Sequence, residues 1–84
     1  MEIKVLGPGC KKCQRLFGEA EKAIAQSGQP ASLTKVEQVA DIAAHGVMVT
    51  PALVIDGHVV SAGRIPSAAE IAAMIHTALT EARS

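Results

Sequence analysis

The sequence predicts an α/β domain with the element order βαβαββα, in which a four-stranded mixed sheet is flanked by three helices. Three features carry that expectation. A short β-branched run, Glu2 to Leu6, is broken by Gly7-Pro8-Gly9 and gives way to a long stretch of helical periodicity. Asp56-Gly57 stands between two apolar runs, which is a hairpin signal. Ser67-Ala68-Ala69-Glu70 has the spacing of a capping box and precedes a third helical pattern.

Taken in order, the elements follow from residue pattern and punctuation. From Cys10 the pattern is helical to about Ser27, and Gly28 stops it. At 100° per residue Cys13, Phe17, Ala20 and Ile24 share one face, opposite Lys11, Arg15, Glu19, Lys22 and Gln26. Cys13 therefore points into the apolar stripe, and Cys10 stands at the mouth of the helix. Ala31 to Val36 reads as a weaker second strand, and Glu37 to His45 as a short helix with Val39, Ile42 and Ala43 inward. Pro51 to Ile55 and His58 to Ser61 are the arms of the hairpin. The last helix presents Ile71, Met74, Ile75, Ala78 and Leu79 as its buried stripe. Two strands joined by a helix pair in parallel, whereas a two-residue hairpin pairs its arms antiparallel. The helices can then cover both faces of the sheet.

At 84 residues the chain is one domain, 49% apolar and 19% charged, which is a globular balance. Phe17 is its only aromatic residue, so the core is built from aliphatic side chains and Met. Single-strand nucleic-acid binding relies on stacking aromatics along a basic groove, and neither is present. Eight basic groups balance eight acidic ones, leaving no bulk field to attract polyanions or anionic lipid. No apolar run approaches the roughly 18 residues of a membrane span, and the N-terminus lacks the pattern of a signal peptide. The expectation is a cytoplasmic monomer with polar exposed helix faces.

In the cytoplasm two closely spaced cysteines point to redox chemistry or metal rather than to a structural staple. A bridge between Cys10 and Cys13 would close too small a loop to restrict the unfolded chain much. Thiols attack as thiolates, and a free Cys with a pKa of about 8.5 is mostly protonated in the cell. Cys10 begins a helix, whose exposed N–H groups and dipole favour an anion. Lys11 and Lys12 follow directly, with Arg15 a turn further on. Cys13 can donate an S–H hydrogen bond, and the glycines around Pro8 admit a close partner. The spacing makes Cys10 the nucleophile and Cys13 the thiol that resolves the mixed disulfide. Lys11 and Lys12 also read as ordinary solvated helix charges. A closed zinc site needs four ligands, and His45, His58 and His76 fall on different elements, so no resident metal is expected. A two-thiolate site for Cu(I) or arsenite remains an alternative, as does an adaptor switched by the state of the cysteines.

With these residues placed, the chain resembles the thioredoxin superfamily, and within it the small redox-active disulfide proteins, which are minimal thioredoxin-like and glutaredoxin-like proteins. The resemblance runs through Lys4-Val5-Leu6-Gly7-Pro8-Gly9-Cys10-Lys11-Lys12-Cys13 and Gly46 to Gly57, and ends with Ser61-Ala62-Gly63-Arg64-Ile65-Pro66-Ser67. It implies a thioredoxin-like fold and a cofactor-free protein disulfide oxidoreductase served by an unidentified reductase. It also implies that Pro51 is a cis-proline facing the cysteines, and that Thr50 offers its main chain to protein disulfide substrates as a short added strand. Lys11, Lys12 and Arg15 would favour acidic substrate rims. The chain departs from thioredoxin in having no Trp before Cys10 and Lys-Lys between the cysteines. The buried acid of the preceding strand is replaced by Lys4, which would favour a thiolate if it faced the site; a one-residue shift would turn it to the other face. Glutaredoxins carry Gly-Gly and an acid after the hairpin, where Ala62-Gly63-Arg64 lacks the acid.

Overall fold

The structure is a computed structural model describing residues 1–9 and 11–83, with side chains described through residue 80. Its elements are β1 (Glu2–Leu6), α1 (Lys11–Ser27), β2 (Ser32–Val36), α2 (Val39–Ala44), β3 (Ala52–Ile55), β4 (His58–Ala62) and α3 (Ala68–Arg83). The sheet order is β2-β1-β3-β4. The β1–β2 pair is parallel, with Leu6 beside Val36, and the other two pairs are antiparallel. This is the thioredoxin-like α/β architecture expected from the sequence.

Strand alternation divides the core in two. Ile3, Val5, Leu53 and Ile55 face α1 and α3, which lie side by side and contribute Leu16, Ala20, Ala23, Ile71 and Ile75. Leu6, Ala52 and Val54 face the other way, against Ile42 of α2. β3 is buried along its whole length because both faces are covered. Complete burial of one such aliphatic side chain stabilises the fold by about 1.5–3 kcal/mol.

Two local signals held in detail. Asp56 and Gly57 have φ of 48° and 84°, the left-handed pair that lets a two-residue turn follow the strand twist. The turn is tied to β1, because the Glu2 N–H donates to Asp56 Oδ1 at 2.7 Å and the Asp56 N–H to the Glu2 carbonyl at 2.8 Å. At α3, the Glu70 N–H donates to Ser67 Oγ at 3.2 Å and the Ser67 N–H to Glu70 Oε1 at 3.4 Å, a reciprocal capping box. Hydrogen bonding from Arg64, and then from the Ser67 N–H, holds the Glu70 carboxyl below its ordinary value. Glu19 of α1 adds a tertiary cap, accepting from the Ala68 N–H at 3.3 Å.

Other expectations need correction. The buried face of α1 is Cys13, Leu16, Ala20 and Ala23, with Phe17 and Ile24 only half-buried. Phe17 lies at the rim of the helix, where Lys35 of β2 covers its ring at 4.7 Å. α2 is shorter than Glu37 to His45, and it buries only Ile42; Val39 is 76% exposed and Ala43 is exposed too. A six-residue helix has too few turns to seat three side chains on the sheet. Strand ends also moved, with β3 beginning at Ala52 and β4 reaching Ala62.

Candidate functional site

Cys10 lies outside the described residues. Cys13 is the third residue of α1 and only 5% exposed. Its burial depends on a missing side chain, because a Cβ at Gly7 would overlap Cys13 Sγ and lie 3.2 Å from Cys13 Cβ. The same point is 3.9 Å from Pro51 Cα. Gly7 thus lets the thiol of Cys13 and the start of β3 converge on one backbone atom. The Gly7 N–H donates to the Val36 carbonyl at 2.9 Å, fixing that backbone against β2.

Lys11 and Lys12 open α1 and are exposed, as is Arg15. Helix N-termini usually carry acids that complement the dipole, but the first turn of α1 contains none. Cations and helix dipole therefore add up to a positive field at the end of the helix that carries Cys13. That arrangement costs helix stability and favours an anion there.

Across from Cys13, Met48, Val49 and Thr50 are exposed and Pro51, just before β3, is buried. The Thr50–Pro51 peptide is cis. The Gly63 N–H donates to the Pro51 carbonyl at 2.9 Å, and the Val49 side chain rests 3.6 Å from where a Gly63 Cβ would stand. Among the described residues no hydrogen bond engages the Thr50 main chain, and Thr50 is exposed. Met48 and Val49 beside it are 98% and 57% exposed, giving the rim an apolar character.

Two residues given no role by the sequence complete the site. A cavity of about 100 Å³ is lined by Val5, Gly7, Gly9, Cys13, Gln14, Lys35 and Glu37. Lys35 and Glu37 project to one side with the period of a strand. Glu37 Oε2 lies 2.9 Å from where a Gly9 Cβ would stand. The signal that could have found them is register: parallel pairing of Leu6 with Val36 sets residue 37 beside the Gly7-Pro8-Gly9 turn. Lys4 is the opposite case. It pairs in register with Val54, on the α2 face of the sheet, and its Nζ lies 3.3 Å from Glu2 Oε1. It is turned away from Cys13. The histidines stay apart: His45 closes α2 with Nδ1 at 2.8 Å from the Asp41 carbonyl, His58 begins β4 and His76 is exposed on α3. Among the described residues no three His, Cys, Asp or Glu side chains group as metal ligands, and no helix is long and apolar enough to cross a membrane.

Comparison with known proteins agrees with this geometry. Residues 1–76 match a family model described as a thioredoxin domain. The chain is similar to a protein named thioredoxin from Methanocaldococcus jannaschii, at 39% identity over 82% of this chain and 79% of that one. It is also similar to a thioredoxin from Methanothermobacter thermautotrophicus, at 34% identity over 84% and 92% of the two chains.

Proposed function

The chain belongs to the thioredoxin family, and on that premise we propose that it is a cytoplasmic thiol–disulfide oxidoreductase acting on protein disulfides through Cys10 and Cys13. Cys10 attacks a substrate disulfide as the thiolate, forming a mixed disulfide and releasing one substrate sulfur. Cys13 then attacks Cys10 Sγ, the Cys10–Cys13 bond forms, and the second substrate sulfur leaves. The substrate disulfide is reduced by two electrons, the dithiol is oxidised, and a separate reductase restores it.

The observation that carries this reading is the seat of Cys13. A thiol buried against Gly7, in the first turn of α1 at its positive end, is shielded from outside disulfides, as a resolving thiol needs to be. Thr50, with its uncommitted main chain beside Pro51, can pair with an extended substrate strand, and the Met48–Val49 rim adds apolar contact. Lys11 and Lys12 reinforce the thiolate at the helix mouth. Substituting Cys13→Ser should trap a mixed disulfide with a disulfide-containing peptide, seen as a mass adduct on Cys10. Cys10→Ser should trap none, and the reverse pattern would overturn the assignment.

A further inference from the structure

Resolution needs the Cys13 thiol to lose its proton, and the strand that usually offers an acid carries Lys4, turned to the other face and paired with Glu2. The cavity against Cys13 nevertheless contains one carboxylate. We propose that Glu37 is the proton acceptor for Cys13 during resolution, working through water held in that cavity.

The inference rests on the reading in which Cys13 resolves the mixed disulfide. Glu37 and Cys13 line the same cavity, and about 100 Å³ is room for several waters that could relay a proton. Among the described residues no ion pair or hydrogen bond engages the Glu37 carboxylate, so its oxygens are open to water. Gly9 has no Cβ to push it away from the turn. The other charged group lining the cavity is Lys35, whose Nζ stands over Phe17. Its positive charge offsets the repulsion between the carboxylate and a developing thiolate. Lys11, Lys12 and Arg15 of α1 add positive charge at its N-terminal end, and the Val47–Pro51 segment contributes no charge.

The step balances. The proton of Cys13 Sγ passes through water to Glu37, and Cys13 Sγ bonds to Cys10 Sγ. The bond from Cys10 to the substrate sulfur breaks, and that sulfur leaves with the bonding pair and is protonated from solvent. Glu37 later returns its proton to solvent. Acting through water rather than by direct contact, Glu37 should contribute less than the roughly 10²–10⁴-fold of a directly placed acid or base, at about tenfold.

The test is stopped-flow reaction of the reduced protein with a small aromatic disulfide whose released thiolate is coloured. Release at Cys10 depends on reagent concentration, whereas release by Cys13 attack is intramolecular and does not; Cys13→Ser, stopping at one equivalent, identifies the phases. In Glu37→Gln the intramolecular phase should slow about tenfold at pH 6–7, and the gap to the natural protein should narrow as pH rises and hydroxide takes the proton in place of the carboxylate. Glu37 is exposed, so an unchanged far-UV spectrum is expected alongside. An identical pH profile, or a faster phase at every pH, would mean that the carboxylate acts at most as a like charge, and would overturn the inference alone. If the natural protein shows no concentration-independent phase, the proposed function fails and the inference with it.

Discussion

Gly7 is where fold and chemistry meet, and Gly7→Ala is the sharpest perturbation of that point. The new methyl would overlap Cys13 Sγ, sit 3.2 Å from Cys13 Cβ and be in ordinary contact with Pro51 Cα at 3.9 Å. Overlap of this kind in a well-packed interior costs about 1–3 kcal/mol. At about 4–8 °C per kcal/mol for a domain of this size, the melting temperature should fall by roughly 4–24 °C. Most of the cost comes from one atom, so it should depend on the residue at position 13. In a Cys13→Ala background Sγ is gone, leaving the 3.2 Å contact with Cβ and the ordinary one with Pro51 Cα. The Gly7→Ala penalty should then shrink by about 1–2 kcal/mol, within the range of coupling measured for touching residues. The four proteins would be unfolded in urea with excess reductant and followed by far-UV circular dichroism, since Phe17 is the only aromatic residue. Costs that add to within about 0.5 kcal/mol would refute the close approach of Gly7 and Cys13.

Three further outcomes test the surrounding structure. Ser61 Oγ is buried with no partner among the described residues, and an unmet hydroxyl costs about 1–3 kcal/mol, so Ser61→Ala should leave the urea midpoint unchanged or raise it. Glu19→Ala removes the cap on the Ala68 N–H and should cost about 0.5–2 kcal/mol by the same measurement, with Glu19→Gln losing less because it keeps an acceptor oxygen. Glu70 has a folded-state pKa below its ordinary value of 4.5, so its contribution is present above that value and is lost as pH falls through the lowered one. The melting-temperature gap between the natural protein and Glu70→Gln should therefore be open at neutral pH and close in acid; a gap that persists in acid would contradict the assignment.

The features legible in the sequence are those made by neighbours in the chain. The Asp56-Gly57 turn needs only two left-handed residues, and the Ser67–Glu70 box closes across three peptide units, so neither depends on the rest of the molecule. The rotation of α1 was less legible, because Leu16 and Phe17 are adjacent and either fits a helical stripe. Lys35, arriving from β2, leaves Phe17 at the rim. Val39 read as inward on periodicity alone, but the helix that carries it is too short to hold it against the sheet. At the site, the cysteine motif is visible as spacing, whereas Gly7 under Cys13 and Glu37 beside Gly9 arise from register and close approach between separate strands. The face of Lys4 was open in the sequence for the same reason, and its in-register partner Val54 decides it.

The central claim is that Cys10 and Cys13 work as one dithiol–disulfide couple. It is tested most directly by equilibrating the protein in a series of defined thiol–disulfide buffers, alkylating the remaining thiols and reading the mass. Both cysteines should convert together as a two-electron couple with a midpoint between about −180 and −300 mV, the range of exchange proteins and cytosolic buffers. A pair that stays reduced throughout, or that resists alkylation only when a soft metal ion is added, would contradict it.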